Sequence, residues 1–141
     1  MKLSARSRYA ARLLLDLAMH EADKPIRTAL LSENTGITVQ FIEQIIRPLK
    51  KAGLIKSVRG AAGGHILDKD PAHITLGEIV RTMEGAINIA NCLECETKCE
   101  RSQACRTRSV WERASRAMEQ ELDSITLAEL LESPEDCPNM D

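Results

Sequence analysis

A chain of 141 residues holds one modest domain rather than two full ones, and with one Phe, one Tyr and one Trp its core must come from Leu, Ile, Val, Ala and Met. No stretch reaches the roughly 18 apolar residues of a membrane span, and Met1-Lys2-Leu3-Ser4-Ala5-Arg6 lacks an apolar signal core, so a cytoplasmic protein that does not enter a membrane is expected. The net charge of −2 hides a division: residues 1–70 carry 12 Lys and Arg against 7 Asp and Glu, whereas residues 71–141 carry 7 against 14, which gives the first half a basic surface suited to a polyanion.

From residue 4 to about 20, Tyr9, Ala10, Leu13, Leu14, Leu17 and Ala18 recur at three- and four-residue steps, which predicts an amphipathic helix capped by Ser4. After the Asp23-Lys24-Pro25 break a short helix is expected over 28–34, ended by Gly36. A second follows over 38–51, with Val39, Ile42, Ile45, Ile46 and Leu49 on its buried side. Two helices joined by a tight glycine turn are the helix-turn-helix pattern. Pro48 should loosen the last turn of the second, because it removes a hydrogen bond and crowds a carbonyl. Residues 54–58 and 65–67 read as short strands around the tip Arg59-Gly60-Ala61-Ala62-Gly63-Gly64, a candidate wing. Thr75-Leu76-Gly77-Glu78 and Thr126-Leu127-Ala128-Glu129 are capping boxes that fix helix starts near 76 and 127.

Between those boxes, a long helix over about 102–124 carries the apolar stripe Val110, Trp111, Ala114, Ala117, Met118, Leu122 and Ile125. So small a chain has too little domain to cover it, and pairing with a second copy is expected. From Ser133 onward the acidic, proline-containing end reads as a disordered tail. The expected fold is therefore mainly α: a winged helix-turn-helix over 1–84, a cysteine-rich loop over 85–105, a dimerisation helix with a short capping helix over 106–132, and a tail over 133–141.

On a recognition helix over 38–51 the outward residues are Thr38, Gln40, Glu43, Gln44 and Arg47, side chains able to read base edges in a major groove. Lys50, Lys51 and Lys56 suit phosphates, as do Arg6, Ser7 and Arg8, and Arg59 at the wing tip suits a narrow minor groove. Four of the five cysteines, Cys92, Cys95, Cys99 and Cys105, fall within 14 residues in the spacing C-x2-C-x3-C-x5-C, and Cys137 stands apart. Thiolates are soft ligands, so the cluster signals a metal, zinc or iron-sulfur, with a thiol-disulfide switch as the metal-free alternative. No thioredoxin-like strand context surrounds the cysteines, no Ser/His/Asp set is evident, and His20, His65 and His73 are scattered, which argues against an enzyme.

The motifs Met1-Lys2-Leu3-Ser4, Arg8-Tyr9-Ala10, Gly53-Leu54-Ile55, Val58-Arg59-Gly60-Ala61-Ala62-Gly63-Gly64, Cys105-Arg106-Thr107-Arg108-Ser109-Val110-Trp111 and Ser124-Ile125-Thr126-Leu127 occur in an order that resembles the IscR/NsrR family of regulators over about residues 1–131. The resemblance implies a homodimer that binds double-stranded DNA at an operator with two half-sites, with a two-iron or four-iron cluster (2Fe-2S or 4Fe-4S) on three loop cysteines. It carries over to Cys92, Cys99 and Cys105 as ligands, to Glu43 and Gln44 on the recognition helix and to Arg59 in the wing. The family's fourth ligand does not carry over, since Arg108 and Arg8 stand at its alternative positions and arginine stays charged; Cys95, extra to the family pattern, is the substitute. His65 stands where the family usually has Tyr and is read as a wing-packing residue. The implied function is a transcription regulator whose DNA affinity follows cluster status, nitric oxide or redox stress.

Overall fold

The computed structural model describes residues 2–95, 97 and 99–133. The first helix, α1 (Ala5–Ala18), starts where the Ser4 hydroxyl accepts the Ser7 amide at 3.2 Å, and it buries Ala10, Leu13, Leu14 and Leu17, the face its spacing predicts. After α2 (Thr28–Thr35) the chain turns through Gly36, whose φ of 72° lies in the left-handed region that penalises a Cβ. The turn is knitted by the Ser32 hydroxyl donating to the Ile37 carbonyl at 2.6 Å and by the Ile37 amide donating to Thr35 Oγ1 at 3.3 Å. The next helix, α3 (Val39–Lys51), buries Ile42, Ile45, Ile46 and Leu49 and runs on through Pro48 rather than ending there. Two antiparallel strands follow, β1 (Ile55–Val58) and β2 (Gly64–Leu67), with Ile55 opposite Leu67 and Val58 opposite Gly64.

Both threonine caps form as read: Thr75 Oγ1 accepts the Glu78 amide and Thr126 Oγ1 accepts the Glu129 amide, each at 3.1 Å, opening α4 (Leu76–Glu84) and α6 (Leu127–Glu132). The Glu78 carboxylate instead takes Lys69 Nζ at 3.0 Å. The long helix, α5 (Arg108–Ser124), starts six residues later than expected. Its apolar stripe begins only at Val110, and the preceding residues close local turns instead, the Ser102 amide on the Cys99 carbonyl at 3.1 Å and the Ala104 amide on the Arg101 carbonyl at 3.0 Å.

A single hydrophobic core joins α1, α3 and α4 with Leu31, Leu54, Ile55, Ile74 and Leu127. Full burial of each such side chain contributes about 1.5–3 kcal/mol. The last helix therefore does more than cap α5: Leu127 is fully buried in this core, and α6 is pinned beside α4 by the Leu76 amide on the Ile125 carbonyl and the Leu127 amide on the Ile74 carbonyl, both at 2.9 Å. No helix among the described residues is long and apolar enough to cross a membrane. The acidic tail from Pro134, with Cys137, lies outside the described residues.

Candidate nucleic-acid interface and cysteine loop

The recognition helix is held from behind. Phe41 packs edge-on against Tyr9 of α1, ring centroids 5.3 Å apart, and the Arg12 guanidinium sits 5.2 Å from the Tyr9 centroid while donating to the Thr35 carbonyl at 3.2 Å. With its apolar side so fixed, α3 turns Thr38, Gln40, Glu43, Gln44, Arg47 and Lys50 to solvent, and Arg59 is exposed at the wing tip. Thr38 also serves as the helix cap, its hydroxyl accepting the Phe41 amide at 3.3 Å. Of the residues expected at phosphates, Lys51, Arg6 and Arg8 are exposed, Lys56 pairs with Asp68 at 3.6 Å, and Ser7 is buried. Ser7 donates its hydroxyl to Glu84.

The wing is attached through His65. Its Nδ1 lies 2.9 Å from Ser57 Oγ across the hairpin and its Nε2 lies 3.1 Å from Thr28 Oγ1 at the start of α2. Burial, aided by the nearby Lys50 charge, pushes the imidazole below its ordinary value of 6.5, so it is neutral near pH 7. Neither Thr28 nor Glu84 is marked by periodicity or motif for these contacts, because each is defined by a partner distant in sequence, His65 and Ser7.

The cysteines occupy the connection from Gly85 to α5. Cys92 lies in the 3₁₀ turn Asn91–Leu93, and Cys92, Cys99 and Cys105 are half-buried while Cys95 is exposed; none of the four forms a disulfide. Cys95 Sγ is 2.8 Å from Thr97 Oγ1, and Cys105 Sγ is 3.3 Å from Thr107 Oγ1. The Thr107 hydroxyl, the Arg108 and Thr107 amides and the Arg108 charge together hold the Cys105 thiol below its usual range. Four thiols on one loop are a donor set suited to iron or zinc, but among the described residues no three His, Cys, Asp or Glu side chains converge as a metal group. The loop is fastened at its near end, where Ile87 is buried and the Ile89 amide donates to the buried Ser115 hydroxyl of α5 at 3.0 Å.

The two regions share α4. Its Arg81 pairs with Glu119 at 2.9 Å and Asp123 at 2.7 Å on α5, and its last residue, Glu84, accepts the Ser4 amide at 2.9 Å. On the far side of α5, Val110 and Trp111 are 48% and 41% exposed, and Ala114 and Ala117 are exposed beside them, an apolar face without cover in a single chain.

Residues 3–133 match the family model Rrf2, described as an iron-dependent transcriptional regulator. The chain belongs to the Rrf2 family of transcription regulators. Protein rrf2 of Nitratidesulfovibrio vulgaris is 39% identical over 138 residues, covering 98% of this chain and 92% of that protein. The structure of IscR from T. potens superposes with a TM-score of 0.72 at 38% identity over 93% of this chain and 86% of the other. That of CymR, the global cysteine regulator of B. subtilis, gives 0.75 at 34% identity over 92% and 95%. As an Rrf2-family member the chain is a DNA-binding regulator of transcription, not an enzyme, and its winged helix is the family's fold.

Proposed function

We propose that this Rrf2-family protein is a cytoplasmic homodimer that binds an operator with two half-sites, and that an iron-sulfur cluster of the two-iron or four-iron type controls its affinity for DNA. Thr38, Gln40, Glu43, Gln44 and Arg47 read bases, Lys50 contacts phosphate and Arg59 enters the minor groove. Cys92, Cys99 and Cys105 hold the cluster, with Cys95 as the fourth ligand. When bound, the cluster supplies redox and ligand-exchange chemistry at those thiolates. The chain's own part is mechanical. Drawing the four thiols together re-forms the connection between Gly85 and α5, and α5 spaces the two recognition helices across the dimer, so that both half-sites, about one helical turn or a multiple apart, are engaged or missed together.

The observation that carries the reading is the position of α4, which contributes Ile79 and Met83 to the DNA-binding core, opens directly onto the cysteine connection and is ion-paired to α5. The test is anaerobic purification with iron, sulfide and zinc analysis of the wild type and of Cys92→Ala, Cys95→Ala, Cys99→Ala and Cys105→Ala, followed by DNA binding of holo and apo protein. Iron and sulfide should be present, lost in each variant, and accompanied by a DNA affinity that differs at least about tenfold, or 1.4 kcal/mol, between the two forms. Equal affinities remove the gating. Unchanged iron in Cys95→Ala removes that ligand.

A second reading replaces iron-sulfur by zinc or by thiol redox chemistry on the same regulator. It is favoured by Cys95 lying beside Thr97 and Cys105 beside Thr107, hydroxyls that a thiol can use without a metal. Colourless protein containing zinc, or free of metal and switched reversibly by peroxide and dithiothreitol, selects it.

A further inference from the structure

A wing on a bare two-stranded ribbon would swing, since an isolated hairpin is marginally stable in water. Here it is fastened at four points to the start of α2. Ile26 and His65 exchange backbone hydrogen bonds, both at 2.9 Å, and so form an isolated antiparallel bridge that ties β2 to the segment before α2. Gly64 makes this approach possible, because a Cβ there would lie 2.5 Å from the Ile26 carbonyl carbon and oxygen. The Arg27 guanidinium donates to the Ala61 carbonyl in the wing turn. Finally, the His65 ring spans from Ser57 on β1 to Thr28, the first residue of α2.

We propose that His65, through its paired contacts to Ser57 and Thr28, is a positioning residue for DNA binding that sets the wing, and with it Arg59, at a fixed height relative to the recognition helix. The backbone bridge fixes where β2 runs; the ring fixes the roll of the hairpin about that line, because it ties the outer strand β1 to α2 across β2. Neutral imidazole suits the post, one nitrogen donating and the other accepting while both hydroxyls adapt. Arg27 makes a second tie at the turn, two residues from Arg59. The proposal deepens the DNA-binding reading and rests on it, but is independent of any cluster.

The test uses the full-length protein and a duplex that the wild type enriches from a random library. For His65→Ala, hydroxyl-radical protection at the wing's minor-groove positions should vanish while protection of major-groove purines by α3 persists. The affinity should fall about tenfold, and the slope of log affinity against log salt should become shallower by about two, the loss of one charge contact in each half-site. His65→Gln, whose amide nitrogen reaches toward Thr28, should recover most of the wing protection. Thr28→Val removes only the hydroxyl and should reproduce the loss in milder form, which decides the matter should His65→Ala fold poorly. Wing protection and salt slope unchanged in Thr28→Val and in folded His65→Ala overturn the proposal, as does loss of major- and minor-groove protection in equal measure. A wild type that enriches no duplex at all counts against the DNA-binding assignment itself.

Discussion

Glu84 shows how one carboxylate holds two distant parts of the chain. Partial burial pushes its pKa up, but the hydrogen bonds from the Ser7 hydroxyl and from Ser4 outweigh that, and the net direction is below 4.5. A carboxyl so lowered stabilises the fold fully above its unfolded value, and the contribution is lost as pH falls through the folded value. Glu84→Ala leaves the buried Ser7 hydroxyl without its acceptor, and urea denaturation should report a loss of about 1–3 kcal/mol together with a weakened acid dependence. His65 titrates with the opposite charge but the same sense of pH. Its folded pKa lies under 6.5, so the unfolded chain binds the proton first as pH falls; stability is intact above 6.5 and declines below it. Melting temperatures followed from above pH 6.5 downward should show this slope in the wild type and lose it in His65→Gln. These residues were the least legible from sequence. His65 was recognisable as part of the wing, yet nothing near it in the chain points to Thr28, 37 residues away, and Ser7 and Glu84 are 77 apart.

At the scale of elements, local signals did most of the work. The spacing of Leu13, Leu14 and Leu17, the threonine caps at 75 and 126 and the glycine at 36 each act within a turn or two of the backbone, and each element they predict is present. The start of α5 escaped because residues 102–107 carry no apolar period that commits them to helix or turn. The approach of α5 to α4 escaped as well, although its marker, Gly77, sits in plain view inside a capping box. A Cβ at Gly77 would overlap the Asp123 carboxylate and come within 3.2 Å of the Asp123 amide, and Asp123 is already engaged by Arg81 and Thr75. Gly77→Ala should therefore push the Asp123 carboxylate off Arg81 and Thr75 and cost up to about 1 kcal/mol by chemical denaturation, the better helix propensity of alanine offsetting part of the crowding. The exposed Arg81 pairs, at about 0.2–1 kcal/mol each, are the weaker part of that contact.

For the molecule as a whole, the proposed dimer rests on the apolar side of α5. The exposed alanines at 114 and 117 leave room for a neighbouring helix to approach closely, with Val110 and Trp111 as anchors at its beginning. Trp111→Glu should turn a dimer into a monomer in sedimentation or light scattering while leaving the helical circular dichroism of each chain nearly unchanged, and retention of the dimer would refute that use of the helix. The donor set of the candidate cysteine site was legible as a spacing, but its closure was not, because spacing fixes which thiols are available and not how the intervening backbone brings them to one point.

Thr75 and Thr126 lie directly opposite each other as an antiparallel bridge. The connection and α5, residues 85–124, thus form an arm that leaves the DNA-reading head after α4 and rejoins it at Thr126, beside the start of that same helix. Such an arm is exchangeable. Insertions, deletions or a wholesale replacement between Glu84 and Thr126 would leave the core of the head, Leu127 included, in place, a topology in which one reading head can carry dissimilar arms.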